Sequence, residues 1–184
     1  MSEIMGVTPQ DIHRFWFEEV PPEGYFEINA RLDEQIHERF LPVYDVLKAR
    51  VPEDWRCDGP ALLASIIVLD QFPRNMFRGQ ALAYATDSRA LALSREGIAN
   101  RLDLNLGTAE RQFFYMPFQH SEDPQDQVES IRLNAQLGAE VLIWAERHKA
   151  VIDRFGRFPA RNAVLGREST EEELAFLAET PLGF

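Results

Sequence analysis

Nine consecutive residues, Ala61 to Leu69, are apolar except for Ser65. Behind the start signal Asp58-Gly59-Pro60, such a run reads as a helix apolar on nearly all sides, and a helix of that kind has to be wrapped by others. It falls far short of the roughly 20 residues that cross a bilayer. Elsewhere apolar residues recur three and four apart, and no stretch alternates convincingly over six residues. These features predict an all-α fold with the 58–71 segment at its core, ending near Gln71 because Pro73 disfavours helical geometry at Phe72.

Other helices are punctuated just as clearly. Thr8-Pro9-Gln10-Asp11 and Asp123-Pro124-Gln125-Asp126 each combine a cap, a proline in the first turn and an acid at the third position. Leu32, Ile36 and Phe40 predict a helix ending before Pro42, with Val43 to Lys48 as a short third. Gly79 to Asn100 reads as a short helix, an Asp87 cap and a longer helix carrying Leu91 and Ile98. Thr108 to about Gln119 follows, with Phe113, Phe114 and Phe118 inward. Ile131, Leu133, Leu137, Val141 and Trp144 predict the longest helix of all, from Asp123 to about His148. One or two further turns, Val151 to Phe155, stop at Gly156. Ser169-Thr170-Glu171-Glu172 supplies a capping box for a last helix through Phe176 and Leu177. Connections are short, without linker or low-complexity tract, so one domain over 1–184 is expected.

Composition narrows the class of partner. The chain of 184 residues carries 19 basic and 30 acidic side chains, a formal charge of -11. Such a field repels polyanions, which argues against nucleic acid and anionic membrane. The lone Cys57 can form no internal disulfide, and its neighbour Asp58 disfavours a thiolate. With no basic-then-apolar leader at Met1-Ser2-Glu3-Ile4, a cytoplasmic location is expected. The positive charge is concentrated: residues 130–167 hold 7 basic and 3 acidic groups, whereas residues 1–58 hold 6 and 13.

Three polar clusters fall at predicted helix ends. The first is Asp70-Gln71-Phe72-Pro73-Arg74-Asn75 with Arg78. A carboxylate at a helix C-terminus faces the negative pole of the macrodipole, so Asp70 needs Arg74 or Arg78 beside it, either as a structural ion pair or as an oriented pocket carboxylate. The second runs from Arg154 to Asn162 with Gly166-Arg167, and Phe158-Pro159-Ala160-Arg161-Asn162 partly echoes Phe72-Pro73-Arg74-Asn75. Its arginines either neutralise acids such as Asp70 and Glu122 or hold an anion. The third is His120-Ser121-Glu122 with Asp126 and Gln127, where His120 either caps its helix or works with Glu122 as a general acid or base.

Ser121 lacks any nucleophile elbow. His120, Glu122, Asp126, His148 and Asp153 are metal-ligand types without metal-ligand spacing, so no metal is expected. His13 and His37 read as surface residues. Phe15, Trp16, Phe17, Tyr25, Phe26 and Phe40 form either a ligand box or, at their helical spacing, core packing. No glycine-rich phosphate loop or dinucleotide fingerprint is present, and no cofactor is expected.

Taken together, Phe15-Trp16-Phe17, Leu69 to Asn75, Pro117 to Glu122, Asp126-Gln127 and Arg154 to Asn162 resemble an uncharacterised bacterial family, domain of unknown function 924. The likeness runs from about residue 8 to residue 178 and keeps motif order. It implies antiparallel helix pairs in a tetratricopeptide-repeat-like, right-handed superhelical array, and it brings no established activity. One position departs from the family pattern, which has a histidine where this chain has Ala160.

The leading expectation is that the clusters meet in one concave pocket. Arg74, Asn75, Arg154, Arg157, Arg161 and Asn162 would bind a small carboxylate- or phosphate-bearing molecule, with His120, Glu122 and Asp70 in catalytic positions should chemistry follow binding. The rival is a helical-repeat adaptor that takes a peptide or protein along a groove. A third reading makes the clusters purely architectural. Oligomeric state is open on every reading.

Overall fold

The computed structural model describes residues 3–25 and 27–180. Phe26 of the aromatic group, and Met1 and Ser2 of the N-terminal segment, lie outside them. Among the described residues the regular structure is helical, apart from one isolated bridge between Ile4 and Val7. No helix among them is long and apolar enough to cross a membrane. The chain divides into two compact units, residues 1–78 with 82–117, and residues 79–81 with 118–184.

The first unit is built around α3 (Gly59–Asp70), in which every residue except Pro60 is buried. Asp58 caps it by accepting from the Ala61 amide at 2.9 Å. Its one internal hydroxyl, Ser65, donates to the Trp55 carbonyl at 2.7 Å, so the polar atom inside the apolar run is satisfied. Around α3 pack α1 (Pro9–Arg14), α2 (Ala30–Leu47), α4 (Phe72–Met76) and α5 (Asp87–Ala99). Thr8 and Asp11 close the capping box read from the sequence at α1. A π-helical stretch, Phe15–Glu19, follows directly and buries both Phe15 and Trp16. The aromatic group is core packing: Phe40 lies 4.9 Å from both Phe15 and Phe72, and Trp16 lies 5.1 Å from Tyr25 and 5.5 Å from Phe113.

Two expectations for this unit fail for local reasons. Pro42 does not end α2, which runs through it to Leu47 as the longest helix described. Pro42 is exposed, so the carbonyl left without its amide partner faces water, while Val43, Tyr44 and Leu47 continue the buried stripe of Ile36 and Phe40. Asp87 does not cap α5 either. Thr86 holds the N-cap position, and Asp87 is committed to Arg74. The buried face of α5 is Ala90, Leu93, Ser94 and Gly97 rather than Leu91 and Ile98.

Gly97 lies where α5 packs tightly on its neighbours. A Cβ there would lie 2.4 Å from Phe114 Cζ and 2.6 Å from Leu62 Cδ2, both in fully buried side chains. Alanine gains roughly 1 kcal/mol of helix propensity over glycine, but overpacking a filled core costs about 1–3 kcal/mol. Gly97→Ala is therefore expected to destabilise by a net of about 1 kcal/mol, read as a lower urea midpoint with an unchanged slope.

Helix α6 (Thr108–Gln119) contains the division between the units, which falls after Pro117. Phe113, Phe114 and Phe118 are all buried, as expected. The second unit continues with α7 (Pro124–Asn134), α8 (Ala139–Phe155) and α9 (Glu171–Glu179). The single long helix expected over 123–148 is thus two helices. The chain leaves α7 after Asn134 and enters α8 through Gly138, whose φ of +113° is a conformation side chains rarely adopt. In exchange, α8 absorbs the Val151–Phe155 turns and stops at Gly156 in the left-handed conformation. Val151, Ile152 and Phe158 form this unit's apolar cluster, with Phe155 and Phe176 against it.

Candidate functional site

In the first unit Asp70 is fully buried at the end of α3, with Gln71 Nε2 donating to its Oδ2. Arg74 answers the helix end: its Nη1 donates to the Asp70 backbone carbonyl and lies 3.5 Å from Asp70 Oδ1. The same guanidinium takes both oxygens of Asp87, at 2.9 and 3.0 Å. Burial alone would lower the Arg74 pKa, but Asp70 and Asp87 outweigh it and hold the group firmly charged. Asn75 Nδ2 donates to Asp33 at 2.8 Å, and Arg78 grips the same carboxylate through two nitrogens at 2.8 Å. Thus Arg74 and Asn75 both have acidic partners from this unit, and Arg78, two residues beyond α4, pairs with Asp33 of α2 rather than with Asp70. His13, expected at the surface, is partly covered and contacts Glu110 at 2.7 Å, whereas His37 is exposed.

The second and third clusters meet within the second unit. Glu122 Oε1 accepts the Phe158 amide at 2.8 Å, and Arg167 Nη1 and Nη2 hold both Glu122 oxygens at 2.7 and 3.0 Å. Burial pushes the Glu122 carboxyl upward, but Arg167, the Phe158 amide and the nearby Arg161 bring it below the usual range, so it stays ionised. Arg161 is buried, with its guanidinium carbon 4.4 Å from the Phe158 ring centre. His148 meets the same ring edge-on at 5.8 Å and lies 6.1 Å from His120. Its Nδ1 sits 2.7 Å from the Trp144 carbonyl. A proton on Nδ1 makes that contact a hydrogen bond and leaves Nε2 as the basic nitrogen.

The turn that carries His120 is pinned on both sides. Gln127 Nε2 lies within donor distance of three carbonyls, those of Phe118 at 3.2 Å, Gln119 at 2.9 Å and Ser121 at 2.7 Å. Ser121 Oγ donates to the buried Asp126 at 2.7 Å, and Asp123 caps α7 through the Gln125 amide at 2.8 Å. His120 follows the last residue of α6 as expected, while Glu122 binds the 158–167 segment.

The remaining second-cluster residues are tied to α9. Arg157 Nε and Nη2 donate to the two Glu173 oxygens at 2.7 and 2.8 Å, and Asn162 Nδ2 reaches Glu173 at 3.2 Å and Ser169 at 3.1 Å. Arg154 pairs with Glu172 at an exposed position. The α9 capping box joins Thr170 to Glu173, one residue later than Ser169–Glu172, because Glu173 is the acid that Arg157 and Asn162 draw inward. Asn162 Oδ1 and Arg167 Nε are buried without a protein partner among the described residues. Ala160 is exposed in the short turn Pro159–Arg161. Among the described residues no three or more His, Cys, Asp or Glu side chains are grouped to hold a metal ion.

His148, weighed in sequence only as a metal ligand, and Arg167 and Glu173, not singled out as site residues, are as engaged here as the residues that were. The Thr170–Glu173 spacing was readable as a cap, but its second role depends on chain folding back from residue 157.

Each unit, taken by itself, is a helical assembly whose helix ends are held by arginine–carboxylate pairs, and the second carries the histidine-bearing turn, which marks an all-α protein among the described residues. The chain belongs to the family described as bacterial protein of unknown function (DUF924), which matches residues 12–181. It is similar to a solved protein of unknown function, ATU0120, from Agrobacterium tumefaciens. The two are 40% identical, the alignment covers 93% of this chain and 97% of the other, and the TM-score is 0.89. Curated proteins give no significant match.

Proposed function

We propose that the second unit binds a small carboxylate- or phosphate-bearing molecule at the His120 turn, with His120 available for proton transfer. The observation that carries this reading is the gathering of His120, His148, Phe158, Arg161 and Glu122 from three stretches of chain around a turn fixed by Gln127 and Asp126. Fixed donors and rings are what a recognition site requires, because little is then lost in ordering them when a ligand arrives. Arg161 supplies charge for the anion, and Glu122, held ionised by Arg167, keeps that guanidinium oriented. Arg154 and Arg157 serve the site by closing it against α9, since their charges are already met by Glu172 and Glu173. In the first unit, Asp70 and Arg74 act by fixing the end of α3, and Asn75 by tying α4 to Asp33 of α2.

A thermal-shift series with inorganic phosphate and small organic acids tests the proposal. Saturable stabilisation is expected that falls at least tenfold in apparent affinity in His120→Gln, a change of about 1.4 kcal/mol. The dependence of binding on pH between about 5 and 8 should change in the same variant. An unchanged affinity and pH profile in His120→Gln overturns the reading.

The adaptor reading has one observation of its own. Ile143 and Trp144 are adjacent on α8 and each 44% exposed. On that reading the tetratricopeptide-like superhelical arrangement presents α8 to a peptide, and Trp144→Ala, not His120→Gln, abolishes capture.

A further inference from the structure

The first unit holds a hollow of about 390 Å³ between the segment that follows α2 and the face of α5. Its volume falls within the range of roughly 300–1,000 Å³ typical of small-molecule sites. Val51 and Leu93, both nearly buried, give a small apolar floor to a lining that is otherwise mostly polar. Three guanidinium groups, those of Arg50, Arg56 and Arg89, share the lining with the carboxylates of Glu53 and Glu96.

These cations are not equally engaged. Arg56 is fully matched, donating through Nε to Glu96 Oε1 at 3.0 Å and through Nη2 to Glu96 Oε2. The hydrogen bond from Glu96, against the effect of burial, raises the Arg56 pKa, and Glu53 contributes in the same direction. Arg89 spends one nitrogen, Nη1, on the Lys48 carbonyl at the end of α2, at 3.0 Å. That bond satisfies a carbonyl at the C-terminus of α2. Arg50 makes no side-chain hydrogen bond or ion pair with a described residue; only its backbone amide is engaged, with the Val46 carbonyl at 3.0 Å.

We infer that this hollow binds a small organic oxyanion, its carboxylate or phosphate taken by Arg50 and Arg89 and its apolar body lying against Val51 and Leu93. Arginine presents a planar fork suited to either oxyanion. The small apolar floor beside it favours a ligand with a hydrocarbon body over the bare ion. Arg56 is already closed by Glu96 and does not take the ligand.

Benzoate is the probe, with benzyl alcohol as its uncharged counterpart and inorganic phosphate as the ion without a body. Amide and arginine side-chain NMR spectra of the full chain are followed during titration. Saturable shifts are expected at Val51, Leu93 and the Arg50 and Arg89 side chains with benzoate, at least tenfold weaker with phosphate and absent with benzyl alcohol. Arg50→Gln is expected to weaken benzoate binding about tenfold, and added salt should weaken it too. Because Arg50 is exposed and has no side-chain partner among the described residues, the variant keeps its fold, which the spectrum itself verifies. His120→Gln should leave these shifts unchanged, which separates this hollow from the His120 turn. Absence of saturable shifts, equal response to benzyl alcohol, or benzoate binding unaffected by Arg50→Gln overturns the inference.

Discussion

Replacing Phe72 by alanine is expected to lower the unfolding free energy by about 3–5 kcal/mol. The Phe72 side chain is fully buried. Its ring stacks on Phe40 at 4.9 Å and meets Trp16 at 5.7 Å and Phe15 at 6.0 Å edge-on. Those rings are themselves buried, Phe15 and Trp16 on the π-helical stretch and Phe40 on α2, and are held by their own packing, so they cannot close a void left between them. The loss is therefore the transfer energy of the ring plus the cost of an unfilled cavity, which places it at the upper end for large-to-small changes. Chemical unfolding followed by tryptophan fluorescence measures it. Phe72→Leu, which keeps most of the volume, should cost less than half as much. A loss below about 1 kcal/mol for the alanine variant would mean that the aromatic group is not the mechanical centre of this unit.

The second large effect is acid sensitivity set by Glu173. Its side chain is 3% exposed and accepts from Arg157, Asn162 and the Thr170 amide. Against the upward push of burial, the Arg157 hydrogen bonds first, then the Thr170 amide and Asn162, bring its carboxyl down to about 2. A glutamate in an unfolded chain titrates near about 4.3. Because the folded value is the lower one, the stabilisation is fully present above the unfolded value and is lost as pH falls from there towards about 2. Glu122 is shifted in the same direction and adds to the effect. The urea midpoint should thus fall steeply below about pH 4.5, and Glu173→Gln should flatten that dependence. At neutral pH Glu173→Ala is expected to cost about 1–3 kcal/mol. Part of what Arg157 loses is recovered from water, since its side chain is 29% exposed. An acid profile identical in Glu173→Gln and the parent would show that this carboxylate does not hold α9 in place.

Much of the fold was legible because local signals and global packing agree. Asp58-Gly59-Pro60, Thr8 to Asp11 and Asp123 to Asp126 start helices where they should, and the 61–69 run is the buried centre of its unit. Pro42 and Gly138 misled in opposite directions. A proline on a solvent face costs little while the buried stripe continues beneath it, whereas apolar residues three and four apart on either side of Gly138 belong to two helices that pack on each other. The clusters were readable as clusters. Their pairings were not, because Arg74 with Asp87, Arg78 with Asp33, and Arg167 with Glu122 join residues far apart in sequence. His148 was underrated because a helical histidine among charged residues looks like a solvated one until Phe158 is seen against it.

The Gln127 side chain ties the chemistry of one amide to the lifetime of the whole turn. Three carbonyl oxygens surround its nitrogen, and each tolerates it because the nitrogen brings hydrogens to share. Hydrolysis of that amide would exchange a nitrogen with two hydrogens for a carboxyl that, facing three oxygens, brings one proton when neutral and none when ionised. Slow deamidation at a single glutamine, which leaves the backbone uncut, would thus unclasp the end of α6 and age the protein at the place where its histidine is held.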